Sequence, residues 1–298
     1  MRASKRPTYQ VIDGDNCSIQ VDPEIYRQAL RFVPEEEDIV HTSFPRCGSH
    51  WVQQIIQLIL NKGESAKTFA EFSRRAPFIE FQGELSKSSP RLIRTHLPLG
   101  KIQFNHKARY VYVARNPWDC CLSLFHLLRE LPNLDFEGGM FDDFVDSFVE
   151  GTMVSGGWFQ HVLSGYKHKD EPNVCFVTYE ELKENTADII LRLACFLGEQ
   201  YGLLLRNDDQ VFQRVLERST LSYMSSFMRT DTKEIAELFV KNPSVKEQSS
   251  KPVEVRIVRR GNVGDWKGQF TGENIAKIQA KIKDTFKDVD VMSLWKNV

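Results

Sequence analysis

The sequence predicts a single α/β domain in which helices flank a central parallel sheet. Short β-branched or apolar runs alternate with longer segments at helical spacing, which is typical of parallel strands joined by crossover helices. The 298 residues contain no repeat of fixed period and no Pro-, Gly- or Ser-rich linker long enough to separate two folding units. We therefore expect residues 1–298 to form one domain.

The sheet and its first helix can be placed from short-range patterns. After the first of the predicted strands, Trp51, Ile55 and Ile59 recur every four residues, which predicts a mostly buried helix. The first strand, the loop after it and this helix together form a P-loop-like strand-loop-helix unit. The predicted strands are 38–43, 91–95, 109–114 and 174–178.

Two further elements follow from capping and from turn residues. Asn116 is a preferred N-cap and Pro117 a preferred first helical residue, so a helix is expected over 117–129. Apolar and charged residues alternate over 253–257, and glycines then break the pattern over 259–266. We expect a loop there that could act as a lid.

Composition excludes several classes of function. Apolar residues make up 41% and charged residues 27%, as in an ordinary globular chain, which disfavours disorder, collagen and coiled coil. The 39 Lys plus Arg and 40 Asp plus Glu leave a net charge of −1, so no global field attracts nucleic acid or a membrane. Any anion site must be local.

Cellular location is predicted from the cysteines and from the apolar runs. None of these runs approaches the ~20 residues of a membrane span, and the basic start of the chain leads into acidic residues instead of a signal sequence. The 6 cysteines include no C-x-x-C pair, which indicates free thiols. We expect a cytoplasmic protein with no membrane and no nucleic-acid partner.

An anion site is predicted where the first strand leads into its helix, over 42–51. Gly48 lets main-chain N–H groups converge, the helix start adds partial positive charge, and Arg46 and Ser49 supply further donors. A plain strand-to-helix turn is the alternative. The G-x-x-x-x-G-K-[ST] motif of ATPases and GTPases does not occur, which argues against both classes of enzyme. A different phosphate donor is therefore indicated.

Three more segments carry residues suited to anions or to proton transfer. Arg94 and His96 end the second strand, where α/β sheets bind ligands, although a histidine there can also be structural. Arg115 leads into the helix that carries Ser123. Two guanidinium groups and a glycine over 259–261 could hold a phosphate dianion, with a solvated charge pair as the alternative.

The order of these motifs resembles that of the cytosolic sulfotransferases over roughly residues 30–275. The matching segments are 44–51, 94–98, 112–123, 179–185 and 259–271. The resemblance implies one α/β domain that moves a sulfuryl group from 3′-phosphoadenosine 5′-phosphosulfate (PAPS) to a hydroxyl or amine of a small molecule. The product nucleotide is 3′-phosphoadenosine 5′-phosphate (PAP), and no metal is implied.

The resemblance also implies a role for each matching residue. The donor's phosphosulfate would contact Arg46, Cys47, Gly48, Ser49, His50 and Trp51, with the indole of Trp51 against the adenine. Its 3′-phosphate would contact Arg115, Ser123, Arg259, Arg260 and Gly261, and its adenine Tyr179, Ser219, Thr220 and Met224. His96 would be the general base, and Arg46 and Arg94 would stabilise developing charge.

The chain departs from the family pattern at several of these positions. Arg46 and Arg94 stand where the family usually has lysine; they keep the charge but will not donate a proton. Cys47 and His50 replace serine or threonine, and we expect the Cys47 thiol to react with oxidants. Leu221 replaces a phenylalanine over the adenine. The dimerisation signature is only partly kept, which predicts a monomer or a weak homodimer.

The acceptor is expected to be a phenol or catecholamine. Three carboxylates, Glu130, Asp135 and Glu137, fall where the family lines its acceptor entrance and would attract a cationic amine. Aromatic candidates for the acceptor pocket are Phe78, Phe81, Phe136, Phe141 and Phe144, with core packing as the alternative for each. Two other functions remain open: a PAPS- or PAP-binding protein without turnover, and a nucleotide kinase of related fold.

Overall fold

The computed structural model describes residues 5–83, 89–131, 134–152, 155–240, 252–258 and 260–296. The strands are β1 (Gln10–Ile12), β2 (Asp15–Cys17), β3 (Ile39–Thr42), β4 (Leu92–Thr95), β5 (Arg109–Ala114), β6 (Val174–Thr178), β7 (Arg229–Asp231) and β8 (Glu254–Arg256). The helices up to β6 are α1 (Pro23–Arg31), α2 (Ser49–Leu60), α3 (Phe69–Arg75), α4 (Ile79–Gln82), α5 (Pro117–Glu130), α6 (Phe141–Glu150) and α7 (Trp158–Lys167). Those after β6 are α8 (Tyr179–Glu184), α9 (Thr186–Leu197), α10 (Glu199–Asn207), α11 (Asp209–Arg218), α12 (Leu221–Phe227), α13 (Thr232–Phe239) and α14 (Gly272–Thr285).

The centre of the fold is a four-stranded parallel sheet with the order β4-β3-β5-β6. Val40 of β3 lies between Ile93 of β4 and Tyr110 of β5. The chain visits β3, then its neighbour β4 on one side, and then β5 on the other side. The carboxyl ends of β3 and β5 therefore flank a topological switch point, where α/β sheets bind ligands. The predicted parallel sheet is confirmed, with strand ends within about a residue of those expected.

Side-chain alternation along the strands places a hydrophobic cluster on each face of this sheet. On β5, Tyr110 and Tyr112 pack with one cluster, whereas Val111 and Val113 pack with the other. Both faces are covered by helices, and all four side chains are fully buried. A sheet buried on both sides leaves the ends of its strands as the open positions for a site.

Two small antiparallel sheets lie outside this core. β1 pairs with β2 through a turn in which Asp13 and Gly14 both have positive φ. β8, within the predicted alternating run, pairs with β7, so that Thr230 lies opposite Val255. No helix in the described ranges is long and apolar enough to cross a membrane.

Candidate active site

The loop between β3 and α2 is shaped by two residues in left-handed backbone conformations. Arg46 has φ of 68° and Gly48 has φ of 103°. A Cβ on Gly48 would lie 2.7 Å from the Tyr179 ring, so glycine is required by both backbone conformation and space. Gly48 gives α2 no side-chain cap. The first turn of α2 is therefore suited to an anion, which can take up the positive end of the helix dipole.

This loop borders a cavity at the switch point, which we call the basic cavity. The arginines on its wall are Arg46, Arg115 and Arg260, and the first turn of α2 lies beside them. Other predicted site residues on the same wall are Gly48, Ser49, His50, Trp51, His96, Ser123, Tyr179, Met224 and Gly261. Residues predicted from separate motifs thus meet at one place, as the carboxyl ends of neighbouring parallel strands require.

Arg46 reaches across the basic cavity to the opposite segments. Its Nε donates to Oγ of Ser123 at 3.0 Å, and its Nη1 donates to the carbonyl of Ile257 at 3.3 Å. Ser123 lies on α5, so one arginine links the loop after β3 to the helix after β5. The guanidinium is held in place before any ligand binds, which lowers the entropic cost of binding an anion.

Arg115, Tyr179 and Gly261 form a stacked unit at the other side of the basic cavity. The Cζ of Arg115 lies 4.3 Å from the centre of the Tyr179 ring, and its Nη2 donates to the Asn262 carbonyl at 2.8 Å. The Tyr179 hydroxyl donates to the Gly261 carbonyl at 2.9 Å, and burial raises the pKa of this tyrosine. Gly261 has φ of 68°, a left-handed backbone conformation that favours glycine here as well.

Asp119 is a structural residue of the site that the sequence analysis missed. Its buried carboxylate accepts hydrogen bonds from the main-chain N–H of Gly264 at 2.8 Å and of Trp266 at 3.1 Å. The glycine-containing loop is therefore tied to the first turn of α5, and this loop had been expected to act as a lid. The only local signal was an aspartate in the first helical turn, where it also suits the helix dipole.

Trp51 lies beside Tyr179 and is anchored by Ser219. The two aromatic rings meet edge to face, with 5.3 Å between their centres, and the indole N–H donates to the Ser219 carbonyl at 2.8 Å. Ser219 is itself buried and does not line the basic cavity, whereas Leu221 and Met224 do. Ser219 therefore supports the predicted adenine region from behind instead of facing it.

The structure places the Cys47 side chain behind the loop instead of in the basic cavity. Its thiol is fully buried, with Sγ 3.7 Å from Sγ of Cys120, and its main-chain N–H donates to the Phe44 carbonyl at 3.2 Å. The expectation that Cys47 would contact the donor's phosphosulfate and react with oxidants is therefore wrong for this conformation. Packing from α5, which the local sequence does not reveal, shields this residue.

Arg94 is held by two acceptors on α2 and by an aromatic ring. Its Nη1 donates to Oε1 of Gln53 at 2.9 Å and to Nε2 of His50 at 3.2 Å, and its Cζ lies 4.4 Å from the Phe78 ring centre. Burial lowers its pKa to about 10, so it stays charged at neutral pH. Burial and the Arg94 charge hold the pKa of His50 well below its usual value, which is consistent with a neutral ring that accepts.

His96 stands where three cavities meet. It lines the basic cavity, an apolar cavity on the side of Phe78 and Phe239, and a polar cavity on the side of Glu80. Its Nδ1 lies 2.6 Å from the Ser43 carbonyl. Because a carbonyl can only accept, Nδ1 carries the proton. Burial, followed by the charge of Arg94, lowers the pKa of His96 well below its usual value, so Nε2 is left with a free lone pair.

The remaining predicted residues divide between the cavities and the core. Phe78 and Phe81 line the apolar cavity, whereas Phe136, Phe141 and Phe144 are buried around Phe125 in the core. The carboxylates Glu130, Asp135 and Glu137 are exposed and line none of the three cavities. Arg259 lies outside the described residues. Among the described residues, no group of His, Cys, Asp and Glu is arranged to hold a metal ion.

Comparison with known proteins gives one consistent family. A family model described as a sulfotransferase domain matches residues 36–290. The amine sulfotransferase of Oryctolagus cuniculus is 28% identical over 283 residues, which cover 92% of this chain and 89% of that protein. A 3-alpha-hydroxysteroid sulfotransferase of Cavia porcellus is 28% identical over 264 residues, which cover 84% of each protein.

Solved structures share the fold. Mouse sulfotransferase SULT7A1 complexed with PAP matches with a TM-score of 0.70 and 24% identity over 96% of each chain. Retinol dehydratase in a complex with retinol and PAP matches with a TM-score of 0.71 and 22% identity, over 91% of this chain and 88% of that one. Because the family model spans most of the sequence, the resemblance seen in the motifs is confirmed: the chain belongs to the sulfotransferase family and is a PAPS-dependent transferase.

Proposed function

We propose that this protein transfers the sulfuryl group of PAPS to a hydroxyl or amine of a small molecule, with phenols or catecholamines as acceptors. The observation that carries the proposal is the neutral His96, whose ring lines the basic cavity and both of the other cavities. A base in this position can meet a donor that arrives from one side and an acceptor that arrives from another.

The basic cavity offers the groups that a nucleotide with two anionic ends needs. Its donors are fixed guanidinium groups, an uncapped helix start and a close-approach glycine. The proposed phosphosulfate contacts are Arg46, Gly48, Ser49, His50 and Trp51, and the proposed 3′-phosphate contacts are Arg115, Ser123, Arg259, Arg260 and Gly261. Tyr179, Met224 and Trp51 would contact the adenine, with Ser219 acting through Trp51.

The transfer step follows from the chemistry of the residues at the junction. His96 Nε2 takes the proton of the acceptor as its oxygen or nitrogen attacks sulfur, and the bond from sulfur to the phosphate oxygen breaks to leave PAP. Arg46 and Arg94 stabilise the negative charge that builds on the transferred group and on the leaving oxygen. Neither arginine donates a proton. The phosphate of PAP is a weak base, so electrostatic stabilisation is enough for it to leave.

Binding of the donor without turnover is the second candidate. It is favoured by the way Arg46 and Arg94 are held, since both already donate to protein acceptors. If those bonds cannot rearrange in the transition state, the chain would bind PAPS and leave it unchanged. The predicted monomer or weak homodimer and the predicted cytoplasmic location do not distinguish the two functions.

A sulfation assay with mass-spectrometric detection tests the proposal. Purified protein is incubated with PAPS and, separately, with phenols, catecholamines, steroids and aliphatic alcohols, and PAP affinity is measured by calorimetry. We expect a sulfated product from phenols or catecholamines. Tight PAP binding with no product from any acceptor would instead support a binding protein, and phosphate transfer from ATP would support a kinase.

A further inference from the structure

His50 is a residue of the proposed donor site that also faces the acceptor side. Its side chain is half-buried and lines both the basic cavity and the apolar cavity. The other proposed phosphosulfate contacts line the basic cavity but not the apolar one: Arg46, Gly48, Ser49 and Trp51. In an in-line transfer the sulfur lies between the leaving phosphate and the acceptor. The part of the donor nearest to His50 is therefore the sulfuryl group.

Arg94 fixes the position of the proton on the His50 ring. The Nη1 of Arg94 lies 3.2 Å from Nε2 of His50, and because a guanidinium can only donate, Nε2 accepts. Burial and the Arg94 charge lower the pKa of His50 well below its usual value, so the ring is neutral at neutral pH. The single ring proton is therefore on Nδ1, which makes Nδ1 a hydrogen-bond donor.

This Nδ1–H group is available to a ligand. It has no acceptor within the part of the chain that the structure describes, and unlike Nε of Arg94 it is not sealed from solvent. Packing sets the plane of the ring, whose centre lies 6.0 Å from that of Phe72 at an angle of 25°. A donor held in this way can bind a ligand oxygen at little cost of reorientation.

His50 and His96 present opposite functional groups of neutral imidazole to the same junction. Both rings line the basic and the apolar cavities. His96 has its proton on Nδ1, at the Ser43 carbonyl, and offers the lone pair of Nε2. His50 uses its Nε2 lone pair for Arg94 and offers the N–H of Nδ1. One ring can thus take a proton while the other donates a hydrogen bond, without a change of tautomer.

We propose that His50 is a catalytic residue whose Nδ1–H donates a hydrogen bond to an oxygen of the transferred sulfuryl group. The inference rests on the proposed sulfuryl transfer and adds a contact to it. As the acceptor atom bonds to sulfur, its proton goes to Nε2 of His96, and the electron pair of the breaking bond stays on the phosphate oxygen of PAP. His50 keeps its own proton throughout. The Arg94 charge at Nε2 strengthens the donor, which holds the sulfuryl group in line.

Two variants separate the donor at Nδ1 from the acceptor at Nε2. The His50→Gln amide can still accept from Arg94 but leaves no donor where Nδ1 stands, whereas the His50→Asn amide N–H lies near Nδ1 and loses the acceptor. With 4-ethylphenol as the acceptor, we expect kcat/KM for PAPS to fall roughly ten- to a hundredfold in His50→Gln and less than about fivefold in His50→Asn.

Binding of PAP provides the internal control. PAP lacks the sulfuryl group, so its affinity by calorimetry should stay within about threefold of the wild-type value in both variants. The exposed His106→Gln is the matched control and should change neither kcat/KM nor PAP affinity. A loss of PAP affinity that equals the loss of kcat/KM in His50→Gln would move the contact to the 5′-phosphate and overturn the inference.

The kinetic result can also contradict the inference directly. An equal or larger loss in His50→Asn than in His50→Gln, with PAP still bound, would assign the residue to the anchoring of Arg94. An unchanged kcat/KM in His50→Gln would show that the Nδ1–H group makes no contact that matters for transfer. Either outcome overturns the inference and leaves the proposed function standing.

A crystal structure of the wild-type protein with PAPS and no acceptor tests the contact without any variant. We expect a sulfuryl oxygen within about 3.2 Å of Nδ1 of His50. A sulfuryl group beyond hydrogen-bond reach of Nδ1, in a protein that sulfates 4-ethylphenol, would overturn this inference alone. Failure of the wild-type protein to sulfate any acceptor, with PAP still bound, would overturn the proposed function and the catalytic role of His50 with it.

Discussion

The basic cavity and the two cavities on the other sides of His96 are built in different ways. The basic cavity uses short continuous segments at the carboxyl ends of β3, β5 and β6, and its contacts come from main-chain groups, glycines and anchored arginines. The apolar and polar cavities draw single side chains from α3, α4, α5, α7, α13, β8 and the amino-terminal hairpin. Recognition of the donor thus depends on local backbone geometry, whereas recognition of the acceptor depends on long-range packing.

The largest effect is expected at the residue that the cavities share. His96→Ala should lower kcat by about 10²- to 10⁴-fold, because it removes the proposed proton acceptor, while PAP affinity stays nearly unchanged. Steady-state sulfation and PAP calorimetry on the same preparation measure both quantities. The exposed His106→Ala is the matched control. Turnover within tenfold of the parent would remove His96 as the base.

A smaller effect is expected at Arg115, on the donor side alone. Arg115→Lys keeps the charge but loses the planar stack on Tyr179 and the forked donors. We expect PAP to bind roughly ten- to a hundredfold more weakly, while AMP, which lacks the 3′-phosphate, is affected much less. Calorimetry with both nucleotides decides, and Arg27→Lys, at a half-buried arginine outside the basic cavity, serves as control. Equal losses for PAP and AMP would contradict the 3′-phosphate contact.

Substitution of Gly48 tests whether local backbone geometry determines the affinity for PAP. Gly48→Ala places a Cβ 2.7 Å from the Tyr179 ring at φ of 103°, whereas Gly14→Ala has φ of 90° with nothing within 4 Å. Both variants should lose about 1–2 kcal/mol of unfolding free energy from backbone strain, and only Gly48→Ala should also weaken PAP binding, by at least about fivefold. Denaturant unfolding and calorimetry give the two values. Equal PAP affinities in the two variants would contradict the idea.

Substitution of Phe239 tests whether acceptor binding can be changed without changing PAP binding. Phe239 lines the apolar cavity and packs edge to face on Phe78 and Phe81. Phe239→Leu should raise the KM for 4-ethylphenol by about three- to fivefold, since roughly 1 kcal/mol of apolar contact is lost, and should leave PAP affinity unchanged. A change in PAP affinity larger than the change in KM would show that the two sides are not separable.

The smallest expected effect is that of pH on the wild-type protein. Only neutral imidazole can accept a proton, and burial holds the pKa of His96 well below 6.5. The acid limb of kcat/KM for 4-ethylphenol, an acceptor without an amine, should therefore lie below pH 6.5, with less than about a twofold change between pH 7.5 and pH 6.5. Half-maximal activity at pH 6.5 or above would indicate a base with an ordinary pKa.

Most of the donor side could be predicted because its signals are local. The conformation of Gly48, the N-cap of Asn116 and the position of Pro117 depend on a few neighbouring residues, and the structure shows each at the expected boundary. The apolar spacing from Trp51 predicted α2 within about two residues of its observed start. Local chemistry of this kind is nearly independent of the rest of the fold.

The positions that were predicted wrongly, left open between site and core, or missed depend on distant packing. Cys47 is hidden because α5 covers it, and Phe144 lies in the core because it packs against Phe125. Glu80 follows Phe78 and Ile79 in an apolar run. A charged residue in such a run can indicate a buried carboxylate, and this signal was not used in the prediction. Its carboxylate accepts a hydrogen bond from the main chain of His96, a contact between distant residues that no short-range pattern predicts.

The sequence by itself therefore determined the parallel sheet, the loop after β3, the arginines around it and the family. It could do so because strand periodicity, glycine conformations and helix caps are set by neighbours along the chain. Only the tertiary structure decided which side chains face the cavities at His96, which cysteine and phenylalanines are core, and that Asp119 ties down the loop at Gly264. Those outcomes depend on contacts between residues far apart in sequence, whose burial and partners arise only when the elements pack.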